Sequence, residues 1–337
     1  MIRFSDIIDD INLDVEDKDT EGAGMALGKT DFWNTGRVEG RNTMEDARAY
    51  YQNLLALADE VQRRVQGNET INISSVIHQL RHIIENDLIE SLYYYLIIEW
   101  NKDGGVAEHS IDVTIFSLMV GIGMGYDKSR LLPLAMVAFL HDVGMHKVPQ
   151  EILKKRGKLS DQELKEVQKH PIQSAEILSQ LGDRFTWLVN LCLLVHERAD
   201  GSGYPRGLKE GNTHNFAFIV GLVDIYSAMI KDRPYRNRIE KNNAMKSILA
   251  SSKGKFPYKI IKVFLNQISF FPVGSYVKLS NYSAGRVIST NPNFPLKPTV
   301  EILYDHIGNK LKRSKIIDLS QEPLIYVIES IDEKEFI

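Results

Sequence analysis

Several features common in proteins of this size are scarce or missing in this chain of 337 residues. It has a single cysteine, Cys192, which rules out an internal disulfide framework and suits a reducing cytosol. No uncharged apolar run reaches 18 residues, and the N-terminus turns acidic at once, which argues against a membrane span and a signal peptide. The net charge of −3 argues against a protein that coats nucleic acid. The sequence therefore predicts a cytoplasmic protein that neither spans a membrane nor binds DNA or RNA.

The composition is that of a protein with a substantial core, because 43% of its residues are hydrophobic and 25% are charged. Cys192 lies in an apolar run, residues 191–195, so we interpret it as a buried structural thiol rather than a nucleophile.

The spacing of apolar residues divides the chain into four parts. Residues 1–43 combine acidic residues and glycines with little periodicity, which predicts a flexible arm. Helical spacing predicts a helical lead-in over 44–100 and a helical domain over 101–268. Residues 269–337 contain segments rich in Val, Ile, Tyr and Thr between Asn, Pro and Gly, which predicts a small β-domain. The expected fold class is therefore mainly α, with N-terminal helices and a small C-terminal β-domain.

Capping patterns in the sequence predict where two helices begin. Ser160 is followed three residues later by Glu163, which is the pattern of a capping box. Asp127 follows a glycine-bearing break and can cap the next helix. These signals place the residues that come next at defined positions on helices.

Six His and Asp side chains lie at the ends of apolar helices or on their apolar faces. A buried carboxylate such as Asp224, within GLVDIYSAM, is costly unless it meets a cation or a metal. For any one histidine alone, a hydrogen-bonded core residue is the commoner interpretation. Six groups together favour a shared centre, because imidazole and carboxylate are suitable ligands for divalent transition metals. The six residues are His109, His141, Asp142, His170, His196 and Asp224.

This arrangement resembles the HD-GYP family, the branch of HD-domain phosphohydrolases that acts on cyclic di-GMP in bacterial signalling. The similarity covers about residues 100–265, and the β-tail with FPVGSYVKLSN is also similar to one found in the family. The motifs that carry the resemblance are LHDVG at 140–144, HP at 170–171, HERADGSGYPRGL at 196–208 and DRPYR at 232–236.

The resemblance implies an HD-domain helical bundle that holds two divalent transition metals, such as iron or manganese. Asp142 would bridge the two ions, which a histidine cannot do. The first ion would be held by His109, His141, Asp142 and Asp224. The second would be held by Asp142, His170 and His196.

The resemblance also implies a substrate site for cyclic di-GMP or a related cyclic dinucleotide. Tyr204 would face the substrate, and Arg233 and Arg236 would grip its phosphates, since guanidinium groups suit bidentate contacts with phosphate. Taken alone, the two arginines would more commonly form surface salt bridges. A signalling protein is a further expected partner.

Three positions depart from the family pattern. Val195 stands where the family usually has a histidine, so the second ion lacks one ligand and that site is expected to fill only in part. Met145 stands where a lysine is usual, and it cannot transfer a proton. Gly105 replaces a glutamate that some members use, which argues against a third metal. The expected catalytic residues are Asp142 and Lys147, and His146 is an alternative to the lysine.

Three functions remain open at this stage. The first is a slow phosphodiesterase that converts cyclic di-GMP to pGpG, GMP or both, since a lost general acid typically costs about 10²–10⁴-fold in rate. The second is a degenerate member that binds the dinucleotide or a protein and signals without catalysis. The third is an HD hydrolase that acts on another phosphoester.

Overall fold

The computed structural model describes most of the chain from residue 44 to residue 331. The described residues are 44–98, 105–155, 157–231, 241–268, 271, 273–291, 294 and 296–331. Within them helices come first and a small antiparallel sheet follows, so the predicted fold class is confirmed. The predicted arm, residues 1–43, lies outside the described residues. The domain boundaries placed after residues 43, 100 and 268 stay predictions.

Three helices form the lead-in: α1, Met44–Gln66; α2, Ile73–Glu85; and α3, Ile89–Ile98. The side chain of Asn72 caps α2 by accepting a hydrogen bond from the backbone N–H of Ser75. Each helix contributes at least one buried leucine to the core that it shares with the rest of the protein.

The helical domain continues with α4, Val106–Gly123; α5, Lys128–Leu140; α6, Gln150–Leu153; α7, Asp161–Val167; α8, His170–Ser179; α9, Thr186–Leu194; α10, Asn215–Ile230; α11, Lys241–Ser251; and α12, Tyr258–Gln267. The predicted caps are confirmed. The carboxylate of Asp127 accepts the N–H of Arg130 at 2.9 Å, and Ser160 and Glu163 form a reciprocal capping box at the start of α7.

Helix α4 is the central helix of the domain. It packs against α1, α3, α5, α10 and α12, and its residues from Ala107 to Gly121 are almost all buried. By length and composition α4 could cross a membrane, but 78% of it is buried inside the protein. Such burial is expected of a core helix, whose whole circumference is apolar because it has neighbours on every side. The polar groups that α4 does carry, His109 among them, are therefore exceptions to be explained.

Five strands form the C-terminal sheet: β1, Tyr276–Leu279; β2, Ala284–Ser289; β3, Thr299–Tyr304; β4, Lys310–Asp318; and β5, Val327–Ile331. They are antiparallel in the order β4-β3-β2-β1-β5, so β4 and β5 are the two edges. Val277, Val287 and Val300 are fully buried on the inner face and belong to the same apolar cluster as the helices. This packing stabilises a sheet that would be marginal alone.

Candidate metal centre

The structure brings the six His and Asp residues together at one place in the helical domain. The candidate ligand atoms of His109, His141, Asp142 and Asp224 all lie within 4.8 Å of one another. Those of Asp142, His170 and His196 form a second such set, and Asp142 belongs to both. All six are buried except Asp224, which is partly exposed. Their role as metal ligands stays a prediction, but they meet the geometric requirement for it.

Most of the candidate ligands lie at the ends of helices that converge on the centre. His109 lies in the first turn of α4, and His141 and Asp142 follow the last residue of α5. His170 is the first residue of α8, and His196 follows α9 by two positions. At a helix end, several consecutive side chains can face a common point that the helix body itself does not fill. Asp224 is the exception, because it projects from within α10.

Backbone contacts set the orientation of two imidazoles. Nδ1 of His141 lies 2.8 Å from the carbonyl oxygen of Ala138, and Nδ1 of His170 lies 2.8 Å from that of Val167. A carbonyl only accepts, so each Nδ1 must carry the proton and donate. In the neutral ring Nε2 is then left with its lone pair, which is how outer partners commonly prepare a histidine to bind a metal.

Two buried polar atoms at this place have no hydrogen-bond partner among the described residues. They are Nε2 of His141 and Oδ1 of Asp142. A buried polar atom left unsatisfied costs about 1–3 kcal/mol, and more if charged. A divalent cation between them would satisfy both atoms. The donor set and the two unsatisfied atoms therefore fit a metal centre.

The electrostatics keep the carboxylates ionised. Burial alone would raise the pKa of Asp142, but the charges of His141 and His170 hold it well below its ordinary value. For Asp224, burial is likewise outweighed by His109, whose Nε2 lies 3.0 Å from Oδ1, so the pKa of this carboxyl is also lowered. Burial lowers the pKa of His196, which favours the neutral imidazole that a metal requires.

The close approach within the second set is between two histidines. Nε2 of His170 and Nε2 of His196 are 2.8 Å apart, and Oδ1 of Asp142 is 3.2 Å from Nε2 of His170. The ring of Tyr204 stacks on that of His196, with centroids 4.9 Å apart and an angle of 3° between the planes. The predicted substrate residue Tyr204 therefore lies directly beside the centre.

A buried glutamate that was not among the predicted site residues fixes the loop that carries Tyr204. Glu197 is fully buried, and its two carboxylate oxygens accept the backbone N–H groups of Arg206 at 2.7 Å and Leu208 at 2.8 Å. Gly203 lies so close to the backbone of Glu197 that a Cβ there would overlap it. Glu197 directly follows the predicted ligand His196, so its position in the sequence could have marked it as a site residue. Its two hydrogen-bond partners, however, lie nine and eleven residues further along the chain.

Burial raises the pKa of the Tyr204 phenol, and the carboxylates of Asp224 and Asp142 raise it further. The phenol therefore keeps its proton over the physiological range. A protonated hydroxyl can donate a hydrogen bond to a phosphate oxygen, whereas a phenolate would repel it.

The two candidate proton donors that follow Asp142, Lys147 and His146, have side chains in different surroundings. The Nζ of Lys147 donates to Oδ1 of Asn68 at 2.8 Å, and the lysine is exposed. His146 is half-buried and lines a small cavity together with Asp142, between α1 and the segment after α5. Burial lowers the pKa of His146, and the charge of Asp142 opposes that shift. His146 is therefore closer to the centre than Lys147.

Val195 offers nothing to the second set of ligands. Its side chain is fully buried and belongs to the apolar core, and its carbonyl oxygen lies against Gly221, where a Cβ would overlap it. The second set accordingly has three members where the first has four. Arg233 and Arg236, the predicted phosphate contacts, lie outside the described residues.

An ion pair lies next to the centre in the core. Asp112 is fully buried on α4, one turn after His109, and its carboxylate contacts the ammonium of Lys231 at the end of α10. Burial raises the pKa of Asp112, and the lysine opposes that shift. The pair connects the helix that carries His109 to the helix that carries Asp224. Neither residue was predicted from the sequence, because the two are 119 positions apart (231 minus 112).

Comparison with known proteins gives two family matches. Residues 95–258 match the model of the HD domain, and residues 276–337 match that of a KOW domain associated with HD domains. The cyclic di-GMP phosphodiesterase PdeB of Borreliella burgdorferi is 29% identical over 224 residues, which cover 65% of this chain and 56% of that protein. The cyclic di-GMP phosphodiesterase PA4108 of Pseudomonas aeruginosa is 28% identical over 213 residues, or 63% and 51% of the two chains. The matched region thus spans about half the length of these relatives.

Among solved structures, Bd1817 from Bdellovibrio bacteriovorus, described as an HDG"Y"P protein, superposes with a TM-score of 0.54. The match covers 67% of this chain and 72% of that one at 21% identity. At this identity the likeness establishes a shared fold and nothing more.

Proposed function

The chain belongs to the HD-GYP family of HD-domain proteins, and on that premise we propose that it is a metal-dependent phosphodiesterase that hydrolyses cyclic di-GMP. The observation that carries the proposal is the convergence of six buried or partly buried His and Asp groups in two sets that share Asp142. The two relatives named as cyclic di-GMP phosphodiesterases support the choice of substrate.

The proposed centre holds two divalent transition metals such as iron or manganese. The four-residue set would hold one ion, and the three-residue set would hold the other more weakly, because it offers one ligand fewer. Bound divalent ions would polarise the phosphoryl oxygens and lower the pKa of water. Asp142 belongs to both sets, so it is the residue that the two ions would share.

The other residues bind and orient the dinucleotide. Tyr204 donates a hydrogen bond to a phosphate oxygen, and Glu197 keeps that phenol beside His196 by accepting the N–H groups of Arg206 and Leu208, which follow Tyr204 in the loop. Arg233 and Arg236 contact the phosphates. A nucleotide held in one geometry reacts faster because the entropy of alignment has been lost on binding.

Turnover is slow in this proposal. Met145 cannot donate a proton, and Val195 contributes no ligand. The products are pGpG, GMP or both. The second candidate function is a receptor that binds the dinucleotide without hydrolysing it. Met145 and Val195 favour this function because they weaken catalysis, and the hydrogen bonds by which Glu197 holds the Tyr204 loop favour it because they preserve a binding site.

The decisive experiment measures metal content and turnover on one sample. Protein purified without added metal is analysed for its elements, loaded with Mn²⁺ or Fe²⁺, and incubated with cyclic di-GMP and, separately, with 3′3′-cGAMP. We expect up to two ions per chain and hydrolysis of cyclic di-GMP at a rate that rises with occupancy of the second site. Binding of the dinucleotide without product at full occupancy would establish the receptor function instead. Hydrolysis of neither dinucleotide, without binding, would exclude both functions.

The proton donor can be identified by the choice of substrate. His146→Gln should lower kcat for cyclic di-GMP by about 10²–10⁴-fold, because the departing ribose oxygen needs a proton. It should leave hydrolysis of bis(4-nitrophenyl) phosphate nearly unchanged, because a nitrophenolate departs without one. Lys147→Gln is the matched control, and its effect on both substrates should be small, since Lys147 contacts Asn68 at the surface. Equal losses on both substrates in the His146 variant would mean that this residue only supports the structure.

A further inference from the structure

Strand β4 presents a dense row of cations at one edge of the sheet. Lys310, Lys312, Arg313 and Lys315 are all exposed, and none forms an ion pair with another described residue. Elsewhere in the sheet, cations are paired across strands, as Lys278 is with Glu329 and Arg286 with Glu301. The positive charge of β4 is thus uncompensated within the described residues.

The backbone of β4 is also open to a partner. Among the described residues it pairs with β3 alone, and its nine residues extend beyond the six of β3. Ile316 within β4 is 64% exposed, and Ile307 in the preceding turn is 71% exposed. An edge strand with free N–H and C=O groups can accept a further strand, and apolar side chains beside it indicate that something covers it.

The N-terminal sequence has the complementary chemistry. Between residues 6 and 21 it carries eight Asp and Glu residues and a single lysine. Residues 11–16, INLDVE, alternate strictly between apolar and polar side chains, which is the pattern of a strand with one apolar and one acidic face.

We infer that the acidic N-terminal segment, residues 11–16, docks along the open edge of β4. Successive side chains of a strand lie on opposite faces, so Arg313 and Lys315 share one face of β4 and Ile316 lies on the other. Asp14 and Glu16 would lie beside Arg313 and Lys315, and Ile11, Leu13 and Val15 would cover the face of Ile316. Opposite charges on adjacent strands stabilise the pairing, and like charges destabilise it. The cationic edge of β4 is therefore an internal docking surface for this chain's own N-terminus.

The length of chain between the two partners permits this contact. About 27 residues separate the segment from the start of α1, and fully extended they reach about 90 Å. A compact chain of this size has a radius of gyration of about 20 Å, so any point on its surface is within range. Tethering also gives the segment a local concentration on the order of millimolar, which favours it over a separate acidic partner.

Cross-linking of the full chain tests the inference directly. Leu13→Cys and Ser314→Cys place one thiol in the segment and one on β4, and a short bis-maleimide joins thiols that are close. Native Cys192 does not interfere, because it is fully buried and burial raises its pKa. The control pairs Leu13→Cys with Ile328→Cys, on the opposite edge strand, where the side chain is 46% exposed.

We expect the cross-link within one chain to be at least about fivefold more abundant for the β4 pair than for the control. The yield of the β4 pair should fall at about 1 M salt, because the Debye length is then about 3 Å and the opposite charges are screened. Equal yields for the two pairs, or a product mainly between two chains, would overturn the inference. Loss of the cross-link in the presence of a single-stranded RNA that binds wild-type protein through β4 would favour nucleic acid as the occupant and overturn it as well.

Charge reversal provides the second measurement. Lys312→Glu, Arg313→Glu and Lys315→Glu together should reduce the cross-link about as strongly as Asp14→Lys with Glu16→Lys, and combining both sets should restore it. The arm reversal leaves β4 unchanged, so it remains informative even if the β4 reversal destabilises the sheet. The control combines Lys253→Glu, Lys259→Glu and Lys262→Glu at exposed positions outside the sheet, and it should leave the yield unchanged. Failure of the combined variant to recover would contradict docking by charge complementarity.

Discussion

Replacing Asp142 by alanine will empty both proposed metal sites and abolish phosphodiester hydrolysis. Asp142 is the only residue that belongs to both sets of candidate ligands. Its Oδ1 lies 3.4 Å from Nε2 of His141 and 3.2 Å from Nε2 of His170. Removing it leaves the buried imidazoles without their shared anion. Since loss of an outer partner of a metal ligand already costs about 10–100-fold, we expect a loss of at least about 100-fold here.

Elemental analysis and turnover of the same preparation check this result. Asp183→Ala is the matched control, because Asp183 is exposed and lies before α9, away from the centre. Asp142→Asn, which keeps the shape of the side chain, separates loss of the ligand from loss of packing. Retention of two ions per chain by a folded Asp142→Ala protein would refute the shared-ligand assignment.

Local chemistry allowed much of the fold to be predicted from the sequence. The capping box of Ser160 and Glu163 and the cap at Asp127 depend on residues three positions apart, so both could be read directly. The change from helical spacing to alternation after residue 269 likewise predicted the sheet. The order of its strands, with β5 next to β1, could not be predicted, because pairing between distant segments leaves no local pattern.

The sequence predicted which residues form the candidate metal centre, but it predicted less well how the side chains around it are directed. Helix ends with adjacent His and Asp residues mark the candidate groups, and the resemblance supplied their division into two sets. The direction of Lys147 depends on Asn68, which belongs to another part of the chain. The ion pair of Asp112 and Lys231 and the two N–H groups held by Glu197 arise in the same way. Contacts of this kind are fixed by tertiary packing, which sequence spacing does not encode.

Gly144 gives the second large expected effect, because it is where the two halves of the centre touch. Its N–H donates to Oγ of Ser174 at 2.9 Å, and that hydroxyl donates to the carbonyl oxygen of His141 at 2.8 Å. A Cβ at Gly144 would overlap the carbonyl oxygen of His170 and lie 2.6 Å from the backbone nitrogen of Ser174. Both are backbone atoms near the start of α8, so rotation of a side chain cannot relieve the overlap.

Gly144→Ala should therefore push α8, with His170, away from His141 and Asp142. The overpacking should cost about 1–3 kcal/mol, which corresponds to a fall in Tm of roughly 2–12 °C in a domain of this size. The three-residue set should lose its ion, while the four-residue set, which does not use α8, should keep its own. The measurements are Tm and the number of ions per chain.

Gly211→Ala is the matched control, because nothing lies within 4 Å of the position its Cβ would take and its backbone is not left-handed. It should retain the Tm and both ions. Ser174→Ala removes the bridging hydroxyl without adding volume, so it should lower Tm but leave His170 in place. If Gly144→Ala kept both ions with an unchanged Tm, the close contact between α8 and the segment after α5 would not be what holds the two ligand sets together. If it lost both ions, Asp142 rather than His170 would be the residue displaced.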